Sequence, residues 1–293
     1  RDVELTEHLI ACRNEHGFPM EVYFQSAKNS PAQVGEISQM LAGAGLLGAA
    51  SIAIQSMSDV ALERVGRSNI KKSTYRSHQE TLARCDINSF IELLWPLPGE
   101  TLSSFRDGIS ELCESGADSF MIYPLLLINN CELNEQRESF GLLIDDSEPG
   151  NGAGEERLIV GTNEVPRSDY EDGWGVAFAT VVLHNLRGLS CVATHLHRQG
   201  IRKYGDLFGD FAAFIQLPAA PPHAASLGRF LNDVFQPLRY DMTEAYGRAV
   251  HHVCHEARAE FDACLAEFVT SQSWWNEPLV KALFEADLLN RVY

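Results

Sequence analysis

Residues 88–115 read NSFIELLWPLPGETLSSFRDGISELCES. The first eight form an apolar run of strand length. Pro96-Leu97-Pro98-Gly99 then turns the chain, because proline cannot donate to a strand ladder and glycine supplies the backbone freedom of a tight bend. Residues 101–115 are predicted as a helix, with Thr101 near its N-cap and Gly116 closing it. One strand, one turn and one helix in succession make one parallel β/α repeat.

The same alternation extends outward on both sides. Residues 1–15 read as an amphipathic helix ended by Gly17, and 19–25 (PMEVYFQ) as a strand. Residues 31–42 are a helix with Ser30 as N-cap and Pro31 at its first position. Gly43–Gly48 turn the chain, and 50–56 (ASIAIQS) are a short strand of the kind buried on both faces. Helices at 58–65 and 73–84 precede the quoted unit, and 118–128 (DSFMIYPLLLI) follow it as a fourth strand. Repeated α-β alternation with short turns means parallel strands with helices outside. Right-handed crossovers then give an open sheet or part of a barrel. The fold class is therefore α/β, a partial parallel (β/α) barrel of about four strands in residues 1–143. Residues 144–160, rich in acidic, Asn, Pro and Gly residues, read as a linker. Residues 161–293 read as a mostly α-helical C-terminal region, with helices expected at 169–187, 189–200, 204–214, 224–238, 241–270 and 278–287.

Bulk properties exclude some classes. Of 293 residues, 45% are apolar and 22% charged, enough for a substantial core. The formal charge of −17 argues against nucleic acid and anionic membranes as partners. No run of about 18 uncharged apolar residues predicts a membrane span. The chain opens Arg1-Asp2-Val3-Glu4 with neither an initiator Met nor a basic and apolar leader, so it reads as an excised segment without a secretory signal. Seven cysteines, an odd number with no C-x-x-C pair, imply reduced thiols and a cytoplasmic setting. No closely spaced trio among them could hold an iron–sulfur cluster from this chain alone.

In parallel α/β folds, functional groups sit at the carboxyl ends of strands. The successive strand ends carry Gln25, Lys28 and Asn29, then Gln55 and Ser56 with Arg64 and Arg67, then Glu92, then Tyr123. This set suits a zwitterionic nucleoside. An arginine fork grips a carboxylate, and an acid such as Glu92 accepts hydrogen bonds from ribose hydroxyls. Each group also has a plain structural reading. Gln55-Ser56 is a turn, Arg67 a solvated helix residue, and Pro98-Gly99-Glu100-Thr101 a turn with a helix cap. His251, Cys254 and His255 share a helix face, for which a polar surface is preferred over a metal site. His195 and His197 point to different faces, and Trp274-Trp275 are expected to anchor the tail.

Taken together, the segments resemble radical S-adenosylmethionine (radical SAM) enzymes. Residues 51–69 (SIAIQSMSDVALERVGRSN) are similar to the fourth-strand motif of that superfamily, with Gln55 ending the strand and Arg67 twelve residues later. Residues 92–101 (ELLWPLPGET) resemble the fifth-strand motif, with Pro96 where glycine is usual. Arg1-Asp2-Val3-Glu4, Lys28-Asn29 and Tyr123-Pro124-Leu125-Leu126 are similar to further stretches of the cobalamin-dependent branch. Where many members continue to a Pro-Gly-Thr, this chain has Asn129-Asn130-Cys131. The resemblance covers residues 1–143 and only loosely the helical tail.

It implies a carbon methyltransferase that uses S-adenosylmethionine, a 4Fe–4S cluster and cobalamin, the last two held by parts outside this chain. In such enzymes the cluster reductively cleaves S-adenosylmethionine, the resulting 5′-deoxyadenosyl radical takes a substrate hydrogen, and methylcobalamin supplies the methyl group. Gln55, Ser56, Arg67 and Glu92, with Gln25, Lys28 and Tyr123, would line the S-adenosylmethionine cavity, and the helical tail would cover the barrel mouth. A small-molecule or peptide substrate and an external electron donor such as flavodoxin or ferredoxin are implied; the segment by itself is expected to be inactive. A radical SAM enzyme without cobalamin, and a non-catalytic nucleoside- or partner-binding module, stay open as alternatives.

Overall fold

The computed structural model describes residues 1–24, 31–67, 72–145 and 156–291. Helix α1 (Asp2–His16) ends where Gly17 adopts a left-handed φ of 78° and returns its N–H to the Arg13 carbonyl. Only Thr6 of α1 is buried, so its fit to the body of the protein is slight. α2 (Pro31–Gly43) leads into β1 (Ala49–Gln55). α3 (Asp59–Arg64) is capped by Ser58, whose Oγ accepts from the Ala61 N–H. α4 (Lys72–Arg84), β2 (Asn88–Trp95) and α5 (Leu102–Glu114) follow, then β3 (Ser119–Pro124). The Thr101 cap of α5 is a full capping box, with Thr101 and Ser104 each bonding the other's backbone N–H.

The three long strands form one parallel sheet in the order β1-β2-β3. The register sets Ala53 beside Glu92 and Glu92 beside Met121. Sequential order with parallel strands is the arrangement of a barrel segment, but three strands make an open sheet. Among the described residues three parallel strands pair where about four were expected. Pro19 to Phe24 form no strand, with a bend at Met20, and the Val22 N–H donates to the Leu46 carbonyl at 2.7 Å. At the far end, the run predicted as one strand breaks at Leu125, and β4 (Leu126–Leu127) leaves for a second sheet.

That second sheet is antiparallel, in the order β4-β6-β5. After the short α6 (Glu132–Glu135), β5 (Leu143–Asp145) and β6 (Arg157–Gly161) occupy the two ends of the stretch expected to be a linker. Ala61, Leu97, Leu125, Leu127 and Ile159 make a separate small core beneath it.

The helical region consists of α7 (Arg167–Ala179), α8 (Ser190–Arg198), α9 (Tyr204–Ile215), α10 (Pro222–Phe230), α11 (Met242–His251), α12 (Arg258–Ser271) and α13 (Val280–Leu289). π-helical turns at Thr180–Asn185, Leu231–Phe235 and His252–Glu256 continue α7, α10 and α11. Long helices expected from sequence are thus interrupted, each by one widened turn. Carboxylates from other helices, Asp287 buried and Glu267 half-buried, cap two of the N-termini. Asp287 accepts from the Cys191 and Val192 N–H groups of α8, and Glu267 from those of His223 and Ala224 at α10. Trp274 packs edge-on to Phe268 with centroids 6.2 Å apart, so the tryptophan pair does anchor the tail.

This region shares the main core with the sheet. Trp95, fully buried, stacks on Phe105 at 4.5 Å and donates its indole N–H to the Tyr170 carbonyl at 3.1 Å. Gly173 of α7 lies so close to the indole that no Cβ fits there. The edge of β3 is closed by side chains. The Asn185 amide accepts from the Phe120 N–H at 3.0 Å and donates to the Phe120 carbonyl at 2.8 Å, and the Tyr246 hydroxyl accepts from the Ile122 N–H at 3.2 Å. Among the described residues no helix is long and apolar enough to cross a membrane.

Gly173→Ala is expected to cost about 2 kcal/mol, the magnitude of overpacking in a rigid core. Denaturant unfolding followed by tryptophan fluorescence checks it, and an unchanged midpoint would show that α7 can move off the indole.

Candidate functional site

The two faces of the parallel sheet differ. Ile52, Ile54, Ile91, Leu93, Trp95, Phe120 and Ile122 are buried in the main core. The alternate residues Phe90, Glu92, Leu94, Met121 and Tyr123 are only half-buried. Period-two alternation thus brings Glu92 and Tyr123 to one accessible face, near the carboxyl end.

On that face the Tyr23 hydroxyl donates to Glu92 Oε1 at 3.4 Å. Burial, with the Glu92 charge second, raises the Tyr23 hydroxyl above the ordinary phenol range. The same causes in the same order, joined by Tyr23, push Tyr123 up to about 12. Both phenols are therefore protonated donors at neutral pH, arranged around one carboxylate. Tyr23 was not singled out from the sequence, because an exposed tyrosine carries no spacing signal that ties it to a strand far along the chain.

At the carboxyl end of β1, Gln55 adopts φ 64°, the left-handed region that non-glycine residues enter at a cost of roughly 1–2 kcal/mol. A register shift between Ala53 and Gln55 accompanies it. Such outliers persist where the surroundings over-determine them, and they collect at functional sites. Gln55 and Arg67 line one cavity of about 260 Å³, together with Arg64, Leu94, Leu97, Leu125, Cys131 and Gln136. Its apolar wall is the small core under the antiparallel sheet, and its polar groups come from the end of β1, from the segment after it, and from α6, which brings Glu132 and Gln136 to the same cavity. Leu94 stands two residues beyond Glu92 on the same strand face, so the cavity and the Glu92–Tyr123 face adjoin.

The other expected positions divide. Gln25, Lys28 and Asn29 lie outside the described residues. Ser56 is buried, and its hydroxyl turns inward to Glu100 Oε1 at 2.6 Å. Arg64, weighed as a surface residue from sequence, is ion-paired with Glu164. Glu164 also accepts from the Gly99 N–H at 3.0 Å, and these contacts hold its carboxyl below the ordinary range despite partial burial. Gly99 itself has φ 85°, and a Cβ there would come 2.9 Å from Arg64 Cδ. The Pro98-Gly99 turn is therefore packed against α3. Glu164 could not be linked to it from sequence, since the partners lie far apart in the chain.

Among the described residues no three His, Cys, Asp or Glu side chains converge as a metal site. None of the seven cysteines forms a disulfide. His251 pairs with Glu256 at 3.2 Å, and its ring stands 5.6 Å from that of His255.

No family model matches the chain. Over 225 residues it is 32% identical to the cobalamin-dependent radical SAM methyltransferase TokK of Streptomyces tokunonensis, an alignment covering 72% of this chain and 33% of that protein. Over 196 residues it is 32% identical to the 2-(S-pantetheinyl)-carbapenam-3-carboxylate methyltransferase of Streptantibioticus cattleyicolor, covering 63% of this chain and 29% of that one. The chain therefore spans about a third of the length of the curated relatives it matches. These similarities support the cobalamin-dependent radical SAM methyltransferases as the kind of enzyme to which this chain is related.

Glu164→Gln is expected to cost about 1 kcal/mol near neutral pH, the range for a partly exposed ion pair. The wild-type advantage is present above the ordinary carboxylate range and is lost as pH falls through the depressed folded-state value. Thermal unfolding of both proteins across acidic pH tests this, and parallel curves would sink it.

Proposed function

We propose that this chain is the part of a cobalamin-dependent radical SAM methyltransferase that grips S-adenosylmethionine and shapes the substrate cavity. The observation that carries the reading is the convergence of Gln55 and Arg67 on one cavity at the carboxyl end of the sheet, adjoining Glu92 on the accessible face. The donor chemistry fits the ligand. A guanidinium and an amide serve the amino-acid end of S-adenosylmethionine, and a carboxylate serves the ribose hydroxyls. Tyr23 fixes the Glu92 carboxylate by its hydrogen bond. Tyr123, kept protonated, adds a donor to the same face.

Ser56 acts from behind, since its hydroxyl holds the turn rather than lining the cavity. The apolar wall of Leu94, Leu97 and Leu125 excludes water from one side of the ligand. Bound cluster and cobalamin would supply reductive cleavage of S-adenosylmethionine and the transferred methyl group. The thiols and histidines described above do not fit a cluster site, so the cluster and cobalamin are assigned to parts of the protein outside this chain.

A small-molecule substrate is favoured over a peptide by the likeness to an enzyme named for 2-(S-pantetheinyl)-carbapenam-3-carboxylate. We take a cytoplasmic setting and an external flavodoxin- or ferredoxin-type electron donor as part of the same reading.

Calorimetric titration of the full-length protein with S-adenosylmethionine is the test. Arg67→Ala and Glu92→Ala are each expected to weaken binding at least about tenfold, or roughly 1.4 kcal/mol. Arg67 is exposed, so its variant should unfold at the wild-type midpoint. Unchanged affinity in both variants would overturn the assignment.

A further inference from the structure

The PGET segment, a turn and helix cap, also contains a carboxyl in an unusual place. Glu100 is 1% exposed. One of its oxygens meets the Ser56 hydroxyl at 2.6 Å, while Oε2 is buried without a hydrogen-bond partner among the described residues. A buried carboxylate left this way, with neither a cation nor a full set of donors, is strongly disfavoured over the neutral acid.

The position of this group matters. Ser56 follows Gln55 directly, at the point where the chain leaves β1 in a left-handed conformation. The Ser56 hydroxyl also accepts from the Ser58 N–H at 2.9 Å, and Ser58 caps α3. Glu100 thus braces the inside of the turn that carries Gln55 and opens the helix leading to Arg67. The outside of the same turn is braced by Gly99, Glu164 and Arg64. Those two charged groups, contributed by α3 and by the segment after β6, are paired with each other.

We propose that Glu100 is a positioning residue, a neutral carboxylic acid that clamps the β1–α3 turn and so presents Gln55 and Arg67 to the ligand. The inference rests on the S-adenosylmethionine reading of that cavity. Burial raises the Glu100 carboxyl to about 8, the Ser56 bond opposes the shift, and no charged side chain contributes. Because the folded-state value lies above the ordinary one, the stability linked to Glu100 is complete below the ordinary carboxylate range and is lost as pH rises toward about 8. Ionisation places an uncompensated charge behind Gln55, and the clamp opens.

The experiment uses the full-length protein as wild type, Glu100→Gln and Glu100→Ala. Amide hydrogen-exchange protection of peptides covering Ser58 to Leu62 reads the clamp, and calorimetry with S-adenosylmethionine reads its consequence. In the wild type, protection should fall and affinity weaken about tenfold between about pH 7 and about pH 9, as the competent fraction declines. Glu100→Gln, the same shape without the ionisation, should hold both readouts flat. Glu100→Ala should lose protection at every pH. If the alanine variant does not fold, the glutamine variant still decides. Identical pH profiles in wild type and Glu100→Gln, or flat protection in the wild type, overturn the clamp. Protection that responds as expected while no variant binds S-adenosylmethionine at any pH leaves the clamp standing and overturns the ligand reading instead.

Discussion

The Asn185 side chain stands where a neighbouring strand would stand. Its amide makes both hydrogen bonds that Phe120 offers outward from the sheet, and Tyr246 accepts the next one. An open strand edge is a template for further pairing, and proteins cover or blunt it. Here the cover comes from the helical region. That single constraint ends the sheet at β3, fixes the turn after α7 against it, and joins the two halves of the chain into one core.

With the sheet ended there, the chain beyond β3 builds its own small antiparallel sheet, and the small core beneath that sheet becomes a wall of the cavity. The site is thus a joint product. Polar groups come from the segment after β1 and from α6, the accessible acid from the middle strand, and the apolar wall from the core under the second sheet. Arg64 and Glu164 tie these contributions together across Gly99.

Much of this was legible locally. The unit at residues 88–115 gave β2, the turn, the Thr101 cap and α5 nearly residue for residue, because alternation and capping are short-range. Gln55, Arg67 and Glu92 were picked out because they lie at the end of, after or within strands of a parallel fold, where functional groups collect. The failures were non-local. Residues 19–25 look like a strand by composition, yet nothing in composition says whether a partner edge is available. Residues 157–160 were read within a linker because strand β6 is stabilised by pairing with β4 and β5, which lie well before it in the chain. Tyr23, Glu164 and the depth of Glu100 were hidden for the same reason, since burial and pairing are properties of the assembled fold.

The widened turn Thr180–Asn185 has a consequence for how the family of such chains can vary. A π-helical turn holds one more residue than the α-helix it interrupts. In a regular helix each residue advances the azimuth by about 100°. Removing one residue from this turn would swing Asn185 to another side of its helix and leave the Phe120 backbone groups bare. The length of this segment is therefore constrained more tightly than its composition. A homologue that keeps the extra residue can change most of the surrounding side chains, whereas one that drops it needs a different answer to the open edge of β3.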